Sequence, residues 1–166
     1  MLRWIRARRA KRLTHDFGRV APWLLVGPVL ERSGYAELAE HGVTHILDLR
    51  SENSDDLETM RALDFAWRRV PIEDRAAPTS EQLAEINAWL DHTAEQPVLY
   101  VHCEGGLGRS PTVAIALLMQ RGFTRVEAHR FMLAARPMAS PTPEQDAWLT
   151  TLEDELEALA DKDKPG

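Results

Sequence analysis

VHCEGGLGRSP occupies residues 101–111 and separates two apolar segments of the chain. Before it, residues 98–101 are almost continuously apolar, which is typical of a strand in the middle of a sheet covered on both faces. After it, residues 110–120 are apolar almost all round and are followed by Gly122, a pattern that predicts a buried central helix. The run therefore connects a core strand to a core helix.

Three glycines lie within the six positions from residue 103 to residue 108. They allow the backbone to curl until successive N–H groups point inward and form a concave nest for the oxygens of a phosphate. The helix that follows directs its positive end at the same spot, and Pro111 lies in the first turn, where it has no N–H to lose. The residues expected to form this phosphate loop are Glu104, Gly105, Gly106, Leu107, Gly108 and Arg109.

The side chains around this loop suit nucleophilic chemistry at phosphorus. Cys103 lies at the floor of the nest, where the helix N-terminus and the guanidinium of Arg109 favour the thiolate, which is the attacking species. Arg109 can bind two phosphoryl oxygens at once and stabilise the charge of the group in transfer. Ser110 can donate a hydrogen bond to the sulfur. His102 is expected to organise the loop from the opposite face of the strand rather than to act as a base.

The pattern of His-Cys, five residues and Arg-Ser resembles the active-site loop of the protein tyrosine phosphatase superfamily. Two upstream segments, VAPWLLVG at residues 20–27 and GVTHILDL at residues 42–49, are similar to the opening strands of the dual-specificity phosphatase family, so the resemblance covers roughly residues 20–136. It implies a mechanism through a phosphocysteine on Cys103. It also implies a general-acid aspartate in a loop upstream of that cysteine.

Asp74 lies where the resemblance places this acid. The segment PIEDRAAP at residues 71–78 has the form of a strand and loop followed by a proline and a helix, as is common around the acid in this family. The acid must protonate the leaving alkoxide or phenoxide and then activate water for the second step. Glu73 is the competing candidate.

The residues at the rim of the loop indicate which substrates the site can accept. Glu104 and the absence of lysine within the loop make this rim less cationic than in the phosphoinositide phosphatases of the superfamily, which disfavours polyanionic substrates. Pro111 stands where many relatives have glycine. No tyrosine-rich loop precedes the core, so we expect a shallow pocket that admits phosphoserine and phosphothreonine as well as phosphotyrosine. The expected partner is a phosphorylated protein or another phosphomonoester.

Several other functions compete with a protein phosphatase. A phosphoinositide or small-metabolite phosphatase would use the same loop, and a phosphate-binding pseudophosphatase would bind without turnover. A lone cysteine is more often a small buried hydrophobe than a nucleophile, but the joint pattern of strand, Cys103, glycine loop and Arg109 favours catalysis. Arsenate reductases and low-molecular-weight phosphatases resemble chains with the loop near the N-terminus and the aspartate after it. Rhodanese chemistry would not require the upstream acid.

Alternating strand and helix patterns fill the rest of the chain. Apolar runs at residues 23–26, 44–49 and 65–72 predict strands, and residues 34–40 and 55–63 predict helices. Three capping boxes predict the starts of further helices, namely Thr79 with Gln82, Thr124 with Glu127 and Thr142 with Gln145. This order predicts a single α/β domain, dual-specificity phosphatase-like, with a central, mostly parallel sheet of four or five strands and helices on both faces.

Length and charge suggest how the chain is divided. The 166 residues and 44% apolar content suit one compact domain. Residues 1–12 hold six basic residues and no acidic one, so they carry about +6 and the remainder about −12. We expect a basic arm at residues 1–14, a catalytic domain at 15–160 and a frayed tail at 161–166. The arm is expected to be solvated, with at most a weak contact to an anionic surface and no nucleic-acid partner.

Cys103 is the only cysteine, so no intrachain disulfide can form, which fits a reducing compartment. No apolar run is long enough to span a bilayer and the start lacks the apolar stretch of a secretory signal, so the expected location is cytoplasmic. The histidines other than His102 show no metal-ligand spacing, which predicts an enzyme without metal or other cofactor. We expect a monomer.

Two further assignments concern polar residues outside the loop. Asp48 is expected to cap the turn at residues 50–51 rather than to support the phosphate loop. Arg68, Arg69 and Arg75 are expected to be ordinary surface charges rather than to line the substrate entrance.

Overall fold

The strands of this chain form one sheet, and successive side chains along them point to two apolar clusters on its opposite faces. The computed structural model describes residues 15–93 and 96–163. Its strands are β1 (Gly18–Ala21), β2 (Leu24–Pro28), β3 (His45–Arg50), β4 (Ala66–Ile72) and β5 (Leu99–Cys103). Their order is β1-β2-β5-β3-β4, in which β1 is antiparallel to β2 and every other neighbouring pair is parallel.

Helices cover both faces of this sheet. Those found within the described residues are α1 (Arg32–Glu40), α2 (Leu57–Ala62), α3 (Ser80–Asp91), α4 (Arg109–Gln120), α5 (Arg125–Ala135) and α6 (Pro143–Lys162). Leu38 of α1 and Met60 of α2 share one apolar cluster with Tyr100 of β5. The neighbours of Tyr100 on that strand, Leu99 and Val101, belong to the opposite cluster, which the other four helices cover. The predicted α/β domain with helices on both faces is therefore confirmed.

Helix α4 is the centre of the larger cluster. Its first eleven residues are all buried, in agreement with the predicted buried helix. Truncating one of its large side chains, such as Leu117, to alanine would leave a cavity and typically costs about 2–5 kcal/mol. This packing fixes the N-terminus of α4 directly beneath the phosphate loop.

Local signals located most helix starts, and differences arise where signals were weak. All three capping boxes form as predicted. Helix α2 is shorter than predicted because Asp56 caps it by accepting hydrogen bonds from the N–H groups of Glu58 and Thr59. Strand β1 was not predicted, since its four residues contain only two apolar side chains and its pairing depends on β2.

Part of the domain prediction falls outside the described residues. The basic arm at residues 1–14 lies there entirely, as do residues 164–166 of the expected tail. Helix α6 extends to Lys162, into the segment for which a frayed tail is expected. Within residues 15–93 and 96–163, no helix has both the length and the apolar character needed to cross a membrane.

Candidate active site

The phosphate loop lies at the carboxyl edge of the sheet, between the last residue of β5 and the first residue of α4. Cys103 is only 3% exposed. Its Sγ lies 3.4 Å from Oγ of Ser110, and that Oγ is also 3.3 Å from the carbonyl oxygen of Gly27. A serine hydroxyl carries one proton. Once the sulfur is a thiolate, that proton is best donated to Sγ.

Glycine at position 106 allows the loop to pass close to β2. Gly106 has a φ of 66°, and a Cβ on it would lie 2.3 Å from the carbonyl carbon of Gly27. A larger residue here would therefore be strained and would also collide with backbone. A Cβ on Gly105 would meet nothing closer than 3.6 Å. The close approach to Gly27 is thus the specific reason for glycine at position 106.

Arg109 is buried and its guanidinium is held by the loops that follow β3 and β4. Its two terminal nitrogens donate to the carboxylate of Glu52 at 2.7 and 2.6 Å, and Nη1 also donates to the carbonyl oxygen of Ile72 at 3.0 Å. Nη2 lies 3.5 Å from Oδ1 of Asp74. The hydrogen bonds to Glu52 are the main reason why the pKa of Arg109 is raised.

Glu52 was not identified from the sequence. Its carboxylate binds the edge of the Arg109 guanidinium that is formed by the two terminal nitrogens. The other edge, with the hydrogen of Nε and the second hydrogen of Nη2, therefore remains for a ligand in the nest. Among the described residues, Nε of Arg109 has no hydrogen-bond partner. The pairing lowers the pKa of Glu52 to about 2. The available signal was topological, because residues that follow parallel strands meet at one edge of the sheet.

Asp74 lies in the same cleft as the nucleophile. The cleft has a volume of about 460 Å³, and its lining includes Asp74, Arg75, Cys103 and Arg109 but not Glu73. The Asp74 side chain is 77% exposed, as a group that must reach a substrate oxygen requires. Arg75, expected to be a remote surface charge, also lines the cleft, and it has a φ of 67°.

The loop that carries Asp74 is fixed by the start of α6. Gln145, which is fully buried, donates from Nε2 to the carbonyl oxygen of Ala76 at 2.9 Å. Thr142 donates from Oγ1 to the carbonyl oxygen of Arg75 at 2.9 Å. From the sequence, Thr142 and Gln145 are expected only to form a capping box. In the fold they also hold the acid loop beside the phosphate loop.

His102, which was expected to organise the loop, is fully buried behind it. Its Nδ1 lies 3.1 Å from the carbonyl oxygen of Cys103 and its Nε2 lies 2.7 Å from Oδ2 of Asp55. Asp55 also accepts from the hydroxyl of Tyr35 at 2.6 Å and from Nε1 of Trp67 at 3.1 Å. Burial alone would raise the pKa of Asp55, but these donors, His102 first, outweigh burial and lower it. Asp55 was missed because it stands at the start of a predicted helix, where nothing in the sequence marks it as a partner of His102.

Asp48 does more than the turn capping expected of it. It accepts a hydrogen bond from the N–H of Arg50 at 3.0 Å, as a cap would, but it is fully buried and also binds the Arg50 guanidinium. Asp48, Asp55 and His102 could offer ligand atoms to one metal ion. Arg50, however, donates to both carboxylates and already supplies the cation. This cluster therefore does not fit a metal site.

Arg136 is buried, like Arg50 and Arg109, and was not identified from the sequence. It donates from Nε to the carbonyl oxygen of Gly106 at 2.6 Å and from Nη2 to that of Gly105 at 3.0 Å. Asp16 accepts from both terminal nitrogens, at 2.8 and 3.2 Å. By holding two carbonyl oxygens outside the nest, Arg136 helps to leave the loop N–H groups facing inward.

Comparison with known proteins places this geometry in a family. A family model described as "Polymorphic toxin system, DSP-PTPase phosphatase" matches residues 28–123. The chain is 31% identical over 125 residues to human dual specificity protein phosphatase 5, covering 74% of this chain and 32% of that protein. It is 30% identical over 145 residues to human dual specificity phosphatase 28, covering 84% and 79%. The chain thus spans about a third of the length of the first of these relatives.

Solved structures agree with the sequence comparisons. The crystal structure of Tk-PTP in its active form superposes with a TM-score of 0.74 at 29% identity, covering 86% of this chain and 99% of that one. The family model covers more than half of the chain, and human dual specificity phosphatase 28 is matched over most of its length. The chain therefore belongs to the dual-specificity phosphatase family of the protein tyrosine phosphatase superfamily, and matches the group described as polymorphic toxin system DSP-PTPase phosphatases.

Proposed function

We propose that this chain is a cysteine-dependent phosphomonoester hydrolase that acts on phosphoproteins through a phosphocysteine. The observation that carries the proposal is the meeting of three groups in one cleft at the N-terminus of α4, namely the sulfur of Cys103, the guanidinium of Arg109 and the carboxyl of Asp74. Each group alone has a structural explanation. Together they supply the nucleophile, the charge clamp and the acid that phosphoryl transfer needs.

The first step forms the phosphoenzyme. Loop N–H groups and the free edge of Arg109 bind the nonbridging oxygens of the phosphate, with the phosphorus above Sγ of Cys103. The thiolate forms the S–P bond as the P–O bond to the leaving group breaks. Asp74, protonated at this stage, donates its proton to the leaving oxygen, so that an alcohol or phenol departs rather than an oxyanion.

The second step releases phosphate. Asp74, now a carboxylate, accepts a proton from water while the water oxygen attacks phosphorus. The P–S bond breaks and the electron pair returns to sulfur. Ser110, 3.4 Å from that sulfur, donates a hydrogen bond that stabilises the thiolate as it leaves.

The residues that line the cleft favour substrates that carry a single phosphate on a protein side chain. Arg109 lies at its floor and Arg75 is a second cation of its lining. The exposed loop side chains at its mouth are apolar Leu107, which is 44% exposed, and acidic Glu104. Glu104 at the mouth opposes further anionic groups. We therefore propose phosphotyrosine together with phosphoserine and phosphothreonine as substrates. A phosphoinositide or small-metabolite phosphatase remains the alternative enzyme, and a pseudophosphatase the alternative without turnover.

The chemistry of Cys103 also favours a reducing compartment. The thiolate of Cys103 must stay reduced to act as a nucleophile, which a reducing compartment ensures. A cytoplasmic location is therefore part of the proposal. A monomer is proposed as well, because every group used in the mechanism comes from one chain.

The test is phosphate release from an aryl phosphate, phosphotyrosine and phosphothreonine peptides and a phosphoinositide, with Cys103→Ser beside the wild type. Release from the aryl phosphate and peptides, lost in Cys103→Ser, is expected. Acid quench during turnover of a radiolabelled substrate should trap a phosphoprotein in the wild type only. Turnover that survives in Cys103→Ser would contradict the mechanism, and release from the phosphoinositide alone would contradict the substrate class.

A further inference from the structure

Glu104 is an anchored charge at the mouth of the catalytic cleft. Its side chain is 59% exposed, yet Oε2 accepts from Nη1 of Arg50 at 3.3 Å. Arg50 itself is 2% exposed and is bound from below by Asp48 and Asp55. Because these buried aspartates already balance the charge of Arg50, the arginine holds Glu104 in place without neutralising it. Glu104 thus presents a fixed negative charge to solvent.

A second cleft lies on the other side of Glu104. This flanking cleft, of about 250 Å³, is formed between the start of α1 and the segment from β3 to α2, and its lining includes Val29, Leu30, Arg50 and Asp56. Glu104 contacts that lining twice, through the ion pair with Arg50 and through its carbonyl oxygen, which accepts from the N–H of Val29 at 3.3 Å. Glu104 therefore lines the catalytic cleft and, through Arg50 and Val29, borders the flanking cleft.

The flanking cleft suits a long basic side chain. The half-buried Val29 and Leu30 offer apolar surface along which the methylene stem of an arginine or lysine can pack while its charged end reaches a carboxylate. Arg32 also lines the cleft and would repel such a side chain. Its charge is offset by the neighbouring Asp56, whose pKa is lowered chiefly by hydrogen bonds from Thr59 and also by Arg32. Glu104 is then the carboxylate beside this cleft whose partner, Arg50, is already balanced by other carboxylates.

We propose that the flanking cleft binds an arginine or lysine adjacent to the phosphorylated residue of a phosphopeptide, with Glu104 as its ion-pair partner. The inference rests on the proposed function, which places the phosphorylated side chain in the catalytic cleft. It makes phosphoproteins with basic residues beside the phosphorylation site the preferred substrates.

Binding to the Cys103→Ser protein tests this preference without requiring turnover. Three phosphotyrosine peptides, alike except for arginine, glutamine or glutamate beside the phosphotyrosine, are titrated by fluorescence anisotropy. We expect the arginine peptide to bind about two- to fivefold more tightly than the glutamine peptide, as an exposed ion pair allows, and the glutamate peptide to bind more weakly than either. The difference should shrink at about 0.5 M salt because the charges are then screened.

Variants of Glu104 identify the residue responsible. Glu104→Gln, which keeps the shape and an acceptor for Arg50, should remove the difference between the peptides, and Glu104→Lys should reverse it. Glu81→Gln removes an equal charge from α3, outside both clefts, and should preserve the difference. Equal affinities for the three peptides, tighter binding of the glutamate peptide, or a preference that persists in Glu104→Gln would overturn the inference. Failure of the wild type to hydrolyse an aryl phosphate would instead overturn the proposed function, and the binding series would still decide the charge preference.

Discussion

At the scale of single residues, the site depends on which hydrogen-bond donors of the Arg109 guanidinium bind the protein and which are left to bind a ligand. Arg109 gives its terminal nitrogens to Glu52 and the carbonyl of Ile72, which leaves the Nε edge for a phosphate. Asp74 approaches the same guanidinium at 3.5 Å from the cleft side. A phosphate bound between Arg109 and Cys103 would therefore have the acid beside it. The next two predictions concern the two carboxylates that contact Arg109.

Replacing Asp74 with asparagine should slow the hydrolysis of alkyl phosphates more than the hydrolysis of aryl phosphates. An alkoxide is a far more basic leaving group than a nitrophenolate and needs the proton more. We expect about a hundredfold loss on phosphothreonine peptides and about tenfold or less on a nitrophenyl phosphate, measured as kcat/KM. Glu73→Gln is the matched control, since Glu73 does not line the cleft. Equal losses on both substrates in Asp74→Asn, or the larger loss in Glu73→Gln, would identify a different acid.

Glu52→Gln should lower activity without moving its pH dependence. Hydrogen bonds from Arg109 lower the pKa of Glu52 to about 2, so this carboxylate contributes to stability above its ordinary pKa and the contribution is lost only as the pH falls toward 2. Between pH 4.5 and 8 it stays ionised. We expect kcat/KM to fall about three- to tenfold across that range, because a neutral amide holds Arg109 less firmly. A shift in the acid inflection would contradict this, and Glu58→Gln, on the surface of α2, is the control.

At the scale of elements, the phosphate loop is shaped by neighbours from three parts of the chain. The end of β2 packs against Gly106, Arg136 after α5 binds two loop carbonyls, and Gln145 of α6 lies against Gly108. The loop glycines permit the nest, but these contacts select its conformation. The two adjacent glycines at positions 105 and 106 should therefore respond differently to the same substitution.

Gly106→Ala should be far more damaging than Gly105→Ala. At position 106 the new Cβ meets the Gly27 backbone at 2.3 Å and the φ of 66° is unfavourable, whereas at position 105 the nearest atom is 3.6 Å away. We expect Gly106→Ala to lose at least about 2 kcal/mol of stability and about a hundredfold in kcat/KM. Gly105→Ala should stay within about threefold of the wild type. Thermal melts and steady-state kinetics decide the matter, and similar behaviour of the two variants would contradict the close approach to β2.

At the scale of the whole molecule, strand order brings the site together. Because β5 lies between β2 and β3, the end of β5 places Cys103 between Pro28, the last residue of β2, on one side and the loop after β3 on the other. The loop after β4 adds Asp74 from one strand further away. The two apolar clusters hold these edges in register from both faces. A ligand at this edge therefore stabilises the entire domain.

Tungstate or inorganic phosphate should raise the melting temperature. A ligand at a hundred times its Kd that binds only the folded state adds about 2.7 kcal/mol, which corresponds to about 5–10 °C for a domain of this size. Cys103→Ser should keep this shift because the nest is intact. Arg109→Lys should lose most of it because lysine cannot bind two oxygens in a fixed fork. An undiminished shift in Arg109→Lys would contradict the role of Arg109 as the phosphate clamp.

The sequence by itself determined the features that depend on neighbours along the chain. The alternation of apolar residues, the capping boxes and the glycine loop between strand and helix are local patterns, and they were sufficient for the α/β fold and for placing Cys103, Arg109 and Ser110 between a core strand and a core helix. The resemblance to a phosphatase family, rather than a local pattern, pointed to the loop that holds Asp74. Strand β1 was not predicted from the sequence, because a strand of four residues at the edge of the sheet has too few residues to show a periodic pattern.

Only the tertiary structure decided which distant polar groups support those residues. These contacts join segments between 30 and 69 residues apart: Glu52 with Arg109, Asp55 with His102, Arg136 with the carbonyls of the phosphate loop, and Gln145 with the loop that carries Asp74. In the sequence each is an ordinary loop or helix residue. The physical reason is that these contacts follow from the order of the strands and the packing of α4 to α6, which no local periodicity specifies.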